Sequence, residues 1–394
     1  MTSLGEDMRA RTALLLGRLQ MGMAWGGDSA LRMFATRLVR ETLVAGLRAE
    51  GHEVSDDRFE AWFSGLRTLS DQPTNTIRPA RAICKAILIE LGNNEWELLA
   101  RSALLLQRGF LAPGANGEFA DQDEPWNSTS GEQFVAANRL LESARKLLDS
   151  IGFDDTALPY PWISRLYDAA ETSVEFARPE MMLRVIGDRT VESWVAGIST
   201  WALDTVVGAY MSRKALHYPI PLPGLIVSRR GRRDLEDWDE DESARYEDIK
   251  WNNVHNAIWR VHEWLMEAAE EAVAIDRAIA HRRSSSRARE LAELMTSFGS
   301  LTGKQISLML ETTRVGSDIV VRSLASDGLL ARSSGAFEVR RFKRIAFDGK
   351  KLPDDQHEDH LDGPLSAALT KFDEDMADID RLLSRTGRSW NDEP

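Results

Sequence analysis

The sequence predicts a mainly α-helical protein that ends in three short helices and a small β-hairpin. Three observations lead to this fold class. Apolar residues recur at three-to-four-residue spacing over most of the chain. Almost nothing in the first 112 residues alternates with period two. The 394 residues are 43% hydrophobic and 28% charged, which is ordinary for a globular protein with room for two or three domains.

Residues 1–112 are predicted to form a helical N-terminal domain. It contains the single cysteine, Cys84, in an apolar helical run, so we expect a buried thiol and no internal disulfide. A linker rich in Gly, Pro, Asn, Asp and Ser follows at 113–132. The helical periodicity covers residues 9–20, 30–49, 57–66, 77–91 and 95–110.

Residues 133–282 are predicted to form a helical middle domain. The stretch 191–211 is apolar on all sides but contains charged residues, which favours a central bundle helix over a membrane span. Within it, Asp204 either pairs with an Arg or His or marks a pocket. Three closely spaced prolines, a basic cluster and a run of acids then predict a mobile loop at 218–243.

A long helix is predicted over 244–282. Its apolar residues alternate strictly at spacings of three and four, which is the pattern of a helix–helix seam. We therefore expect a homodimer through the helix 251–279, although the same stripe would also suit packing on the chain's own bundle. The seam residues are Trp251, Val254, Ile258, Val261, Leu265, Ala268, Ala272, Ile275 and Ile279.

The C-terminal unit, residues 283–350, has the pattern of three helices and a hairpin. Thr302 followed by Gln305 is a capping-box pattern that predicts the start of the second helix. The segment 326–328, which ends in glycine, predicts the end of the third helix. Leu329 and Leu330 before a Ser-Ser-Gly turn and an apolar return strand after it predict the hairpin; the return strand holds Phe337, Val339 and Phe342. The inner face of the third helix is predicted to hold Ile319, Val320, Val321 and Leu324.

The spacing LTxKxI, about a dozen residues, then VxxLxxDGLL resembles the winged helix-turn-helix of bacterial transcriptional regulators, the MarR type among them. The resemblance covers roughly sixty residues and implies that the third helix enters the major groove of DNA. DNA-contacting residues are then expected on this helix and the turn before it, where the arginines, the serine and the aspartate would read bases and the threonines would contact bases or phosphates. They are Thr312, Thr313, Arg314, Ser317, Asp318 and Arg322.

Phosphate contacts are expected from the second helix and the hairpin. The segment 281–350 holds thirteen Lys and Arg against seven Asp and Glu, whereas the whole chain has a net charge of −13. A basic segment in an acidic chain suits local phosphate binding, but also a solvated basic face or a protein-docking surface. The residues expected to hold phosphates are Lys304, Arg332, Arg340, Arg341, Lys343 and Arg344.

The sequence motifs of common enzymes are missing, so no catalytic residue, cofactor or metal is predicted. There is no P-loop, no HExxH, no GxSxG and no GxGxxG after a strand. An HxxH pair at His357 and His360 lies in a predicted acidic tail, 351–394. Six tryptophans of the helical middle region form either core or a pocket for a small-molecule effector. They are Trp162, Trp194, Trp201, Trp251, Trp259 and Trp264.

Together these patterns predict a dimeric, sequence-specific DNA-binding transcriptional regulator of bacterial type, whose helical regions sense or dock a signal. No signal peptide is evident and no membrane contact is expected, so a cytoplasmic location is predicted. One alternative is a DNA-binding protein of replication, partition or a mobile element. The other is an adaptor that uses the C-terminal unit to bind protein.

Overall fold

The computed structural model describes residues 4–67, 69, 78–111, 129–152, 160–176, 181–186, 189–194, 199–212, 217–226, 240–280, 287–333 and 336–339. Helices dominate these ranges, which confirms the predicted mainly α-helical class. The elements are α1 (Leu4–Trp25), α2 (Asp28–Ala49), α3 (Asp56–Phe63), α4 (Ala80–Gly92), α5 (Glu97–Leu111), α6 (Thr129–Ile151), α7 (Tyr160–Thr172), β1 (Met181–Ile186), β2 (Arg189–Trp194), α8 (Trp201–Met211), α9 (Glu240–Ile279), α10 (Ala288–Phe298), α11 (Gly303–Met309), α12 (Arg314–Ser326), β3 (Leu330–Ser333) and β4 (Ala336–Val339).

The long helix α9 lies inside the chain, along α1 and α2. It runs parallel to α1, because Thr12 lies near His255 and Gly22 lies against Leu265. All nine residues of the predicted seam are buried within this single chain. The prediction that the stripe 251–279 joins two copies is therefore wrong. A heptad stripe specifies that another helix packs on it, but not which chain supplies that helix.

The core continues from the helical body, α1–α9, into the C-terminal unit. Buried apolar side chains form one connected set from α1 to β3. In the C-terminal unit, α10 packs on α2 and α9, and α11 packs on α5. Burial is thus continuous across the boundary that the sequence suggests near residue 283.

The region around Asp204 differs most from the sequence prediction. The stretch 191–211 is not one helix, because β2 ends at Trp194 and α8 begins at Trp201. β1 and β2 instead form an antiparallel hairpin. The first part of the predicted mobile loop, 218–226, lies against α8 with several of its apolar side chains buried. The prediction of a mobile loop is wrong for this part and for residues 240–243, which belong to α9, while residues 227–239 lie outside the described ranges.

Asp204 explains how this proline-rich segment can be buried. Its carboxylate accepts hydrogen bonds from the backbone N–H groups of Gly224 and Ile226, at 2.8 and 2.9 Å. The backbone N–H of Leu222 donates to the carbonyl of Asp204 at 2.9 Å. Burial raises the pKa of Asp204 to about 7. The hydrogen-bond partners are backbone groups, and the expected arginine is present only as a nearby charge, because Arg260 attracts the carboxylate and lowers its pKa.

Among the described helices, none has both the length and the apolar character that a membrane crossing requires. Residues 113–128 of the predicted linker, residues 227–239 of the predicted loop and the predicted acidic tail lie outside the described residues, whereas residues 129–132 of the predicted linker belong to α6.

Candidate nucleic-acid interface

The C-terminal unit is built from α10, α11, α12 and the antiparallel hairpin of β3 and β4. The predicted capping box is present: the Thr302 side chain accepts from the Gln305 N–H, and the Gln305 side chain accepts from the Thr302 N–H. Thr313 caps α12 in a similar way, accepting from the N–H of Gly316. Leu301 pairs with Phe337 of β4, so the chain before α11 extends the hairpin by one bridge. These local bonds determine where each helix starts.

The inner face of α12 is defined by Ser317, Val321 and Leu324, all of which are buried. These residues follow one another at spacings of four and three, as one helical face requires. Ile319 is 62% exposed, so its predicted inward position is wrong. Successive residues in a helix are about 100° apart, and a run of apolar residues at 319–321 cannot share one side.

The outer face of α12 carries two arginines and two aliphatic side chains. Arg314 and Arg322 are exposed, and Asp318 between them is half-buried. Val315 and Ile319 are 69% and 62% exposed. The helix packs mainly on α10, α11 and β3, and this leaves the outer face open among the described residues. Neither aliphatic was expected on the outer face, although their offset from the 317–321–324 face is visible in the sequence.

Three polar side chains expected at this interface are buried or hydrogen-bonded within the protein. Ser317 was expected to face DNA, but its side chain is buried and its hydroxyl donates to the Arg314 carbonyl at 2.9 Å. The hydroxyl oxygen of Thr312 is buried and has no hydrogen-bond partner among the described residues. Thr313 is exposed, but its hydroxyl already accepts the capping bond.

The remaining expected contacts lie at other places. Lys304 is exposed in the first turn of α11. Arg332 is in β3, where only the backbone is described. The other cations of the predicted wing, which are Arg340, Arg341, Lys343 and Arg344, lie outside the described residues.

A buried carboxylate, Glu60 of α3, attaches the C-terminal unit to the helical body. Glu60 accepts from the backbone N–H of Ser300 at 3.0 Å and from its hydroxyl at 3.1 Å. It also pairs with the buried Arg40 at 3.2 Å. A Cβ atom on Gly299, whose φ is 113°, would overlap this carboxylate. The backbone before α11 is therefore shaped to fit one side chain of the body.

Further polar contacts surround this attachment. The Gln305 side chain donates to the Phe63 carbonyl at 2.8 Å, and the Ser64 hydroxyl donates to the Ser300 carbonyl at 2.7 Å. At α10, the buried Glu293 accepts two bonds from the Arg32 guanidinium, both of 2.8 Å. Because buried charged groups are costly to separate, these contacts hold the unit rigidly on the body.

An open cleft of about 410 Å³ lies between α5 and the adjoining parts of α10 and α11. Leu104, Leu105 and Met309 contribute apolar surface to it. At one side, Arg108 pairs with Glu311, which has a φ of 51°. The volume suits a small molecule. None of the six tryptophans proposed for an effector pocket lines this cleft.

The tryptophans whose surroundings are described belong mainly to the core. Trp162, Trp201 and Trp251 are among the largest fully buried side chains. Trp259 is 47% exposed on α9. The interpretation of the tryptophans as core therefore applies to these three, and a small-molecule effector stays a prediction.

Within the described ranges, no group of three or more His, Cys, Asp or Glu side chains is arranged to hold a metal ion. Comparison with protein-family models, with curated proteins and with solved structures found no significant similarity to this chain.

Proposed function

We propose that the chain is a sequence-specific double-stranded-DNA-binding protein that regulates transcription. In this proposal α10–α12 and the β3–β4 hairpin act as a winged helix-turn-helix, with α12 in the major groove. The observation that carries it is the open outer face of α12, where Arg314 and Arg322 stand exposed while α10 and α11 are packed on the body. Exposed arginines on a helix can pair with guanine edges.

The positions of two cations support phosphate binding. Lys304 and Arg314 lie in the first turns of α11 and α12, and neither turn contains an acid. A helix N-terminus carries partial positive charge, so a cation there costs each helix some stability. At α12, the charge of Arg314 adds to the partial positive charge of the helix start, and the two together attract an anion. A DNA phosphate supplies that anion in the proposal.

The positions of the charged residues in the C-terminal unit support DNA binding more than the net charge of the unit does. In the described part of the unit after Leu301, cations and acids are equal in number, and Glu311 is paired with Arg108 of the body. Arg314 and Arg322 are on the exposed helix face, with only Asp318 between them. The cations are Lys304, Arg314, Arg322 and Arg332, and the acids are Glu311, Asp318, Asp327 and Glu338.

The buried position of α9 changes the expected binding site. A two-fold symmetric operator requires two recognition helices related by a dimer axis. The helix that was expected to provide this axis is used inside the chain. We therefore propose that one molecule reads one asymmetric site with a single recognition helix.

The test is in vitro selection from a random duplex pool, followed by fluorescence anisotropy with the selected and a scrambled duplex. We expect the Arg314→Ala/Arg322→Ala variant to lose about ten-fold or more in affinity, since each arginine–base contact contributes roughly 1–3 kcal/mol. Its salt dependence should also be shallower than that of the wild type if either arginine contacts phosphate.

The matched control is Arg139→Ala/Arg277→Ala, which removes two exposed arginines from α6 and α9. This control should bind like the wild type. Equal losses in both double variants would show that general charge, not the α12 face, determines binding. No binding at low salt would refute the proposed function.

A second candidate is an adaptor that binds a protein through the same helix. The observation in its favour is the exposure of Val315 and Ile319. In that case Val315→Ala/Ile319→Ala would weaken partner binding while the chain showed no affinity for any selected duplex.

A further inference from the structure

The pair Val315 and Ile319 is the feature of α12 that phosphate and guanine contacts leave unexplained. Their exposed fractions are 69% and 62%, and no other large hydrophobic side chain of α10, α11 or α12 is exposed. A single exposed aliphatic is ordinary, but two on one helix face amid charged residues suggest a ligand.

The pair occupies the centre of the face proposed to enter the groove. Val315, Ile319 and Arg322 follow one another at spacings of four and three, and therefore form one stripe. Arg314, Asp318 and Arg322 form the adjacent stripe. The aliphatic side chains thus have arginines at both ends, so a ligand here must present apolar groups close to negative charge.

Resting on the proposed function, we propose that Val315 and Ile319 contact the 5-methyl groups of thymines and make thymine part of the recognised sequence. Thymine is the base that shows a methyl group in the major groove, and phosphates flank it on both strands. The rise of a helix places the two side chains about 6 Å apart along α12. Two base-pair steps span about 6.8 Å, so the pair matches thymines two steps apart.

A protein partner fits this surface less well. The cores of protein interfaces are enriched in aromatic residues and depleted of charge. The described face of α12 has no exposed aromatic residue, and Arg314, Asp318 and Arg322 interrupt its apolar area. Two methyl-bearing side chains between arginines match the mixed apolar and anionic surface of the major groove.

The experiment replaces thymine with deoxyuridine, which removes only the 5-methyl group. The duplex is the one selected from a random pool by the wild-type chain, and affinity is measured by fluorescence anisotropy at constant salt. Burying one methyl group changes affinity by about four-fold. We expect full replacement to weaken wild-type binding about ten-fold, and individual replacement to locate two sensitive thymines two steps apart.

The variant Val315→Ala/Ile319→Ala is measured with the same two duplexes, the thymine form and the deoxyuridine form. It should bind the thymine duplex about ten-fold more weakly than the wild type and should bind both duplexes equally. The matched control is Val174→Ala, which removes an aliphatic side chain that is 91% exposed after α7. This control should keep the wild-type preference for thymine. Urea unfolding of each variant confirms that these surface changes leave the fold intact.

The outcomes separate this inference from the proposed function. If the wild type selects a duplex and binds its deoxyuridine form equally well, thymine-methyl contact is refuted while DNA binding stands. If the double variant keeps the full preference for thymine, another residue reads the methyl groups and the assignment to Val315 and Ile319 is wrong. If no duplex is selected, both proposals fail and a protein partner becomes the explanation of the pair.

Discussion

Replacing Gly299 with alanine should destabilise the whole protein, because this residue lies where the C-terminal unit meets the helical body. Gly299 has φ 113° and ψ −144°, in a region that only glycine adopts easily. A Cβ atom there would also overlap the carboxylate of Glu60. Glu60 would have to move, and its bonds to Ser300 would be lost or lengthened.

The size of the effect follows from two contributions. The backbone conformation costs an L-residue about 1–3 kcal/mol. Losing one buried hydrogen bond to a charged group costs about 1.5–3 kcal/mol. We therefore expect Gly299→Ala to lower the free energy of unfolding by about 3–6 kcal/mol, a large share of the 5–15 kcal/mol typical of proteins.

The assay is equilibrium urea unfolding, followed by tryptophan fluorescence and circular dichroism. Gly303→Ala is the matched control, because its Cβ would meet only the Phe337 ring, at an ordinary 3.6 Å, and α11 tolerates alanine there. The control should unfold at the wild-type urea concentration or slightly above it. In a Glu60→Ala background, Gly299→Ala should cost only the backbone contribution. A loss below about 1 kcal/mol in the wild-type background would refute the reasoning.

Three further predictions concern other parts of the structure. Glu311→Gly should raise the free energy of unfolding by about 0.5–1 kcal/mol, because the φ of 51° suits glycine and the exposed ion pair with Arg108 contributes little; a lower urea midpoint would contradict this. Ile258→Ala should lower the free energy of unfolding by about 2–5 kcal/mol, because the side chain is buried. The urea midpoints of the wild type and the variant should not depend on protein concentration. A midpoint that changes with concentration would show that the α9 seam joins two chains. Folding raises the pKa of Asp204 from 3.8 to about 7. Between these pH values the folded state holds a proton that the unfolded state has lost. The contribution of Asp204 to the free energy of unfolding therefore falls as the pH rises through this range. Asp204→Asn should remove that part of the pH dependence, measured by urea unfolding at several pH values, and identical pH profiles for both proteins would exclude the carboxyl as its source.

The candidate interface was only partly predictable from the sequence. Arg314 and Arg322 are exposed, as the pattern of polar residues in the third helix predicted. Ser317 and Ile319 were both placed on the wrong side. Residue type favours a serine outside and an isoleucine inside, but the face of α12 is set by Val321 and Leu324 packing into the core. Tertiary packing thus overrode the preference of single residues.

Local interactions are what the sequence by itself determined. The mainly helical class follows from apolar periodicity, and the start of α11 follows from Thr302 and Gln305, whose mutual hydrogen bonds join residues three positions apart. Such bonds form within one helical turn, so the residues that specify them are neighbours in the chain.

Only the tertiary structure decided which partners the remaining groups have. Glu60 bonds to Ser300 across 240 positions in sequence, and Asp204 is satisfied by backbone N–H groups that carry no sequence signature. The stripe of α9 was equally suited to a second copy or to α1 and α2, and the fold brings α1 and α2 to it. The physical reason is the same in each case. The sequence shows that an apolar face must be buried or that a buried charge needs a hydrogen-bond partner. Long-range packing decides which group covers that face or bonds to that charge.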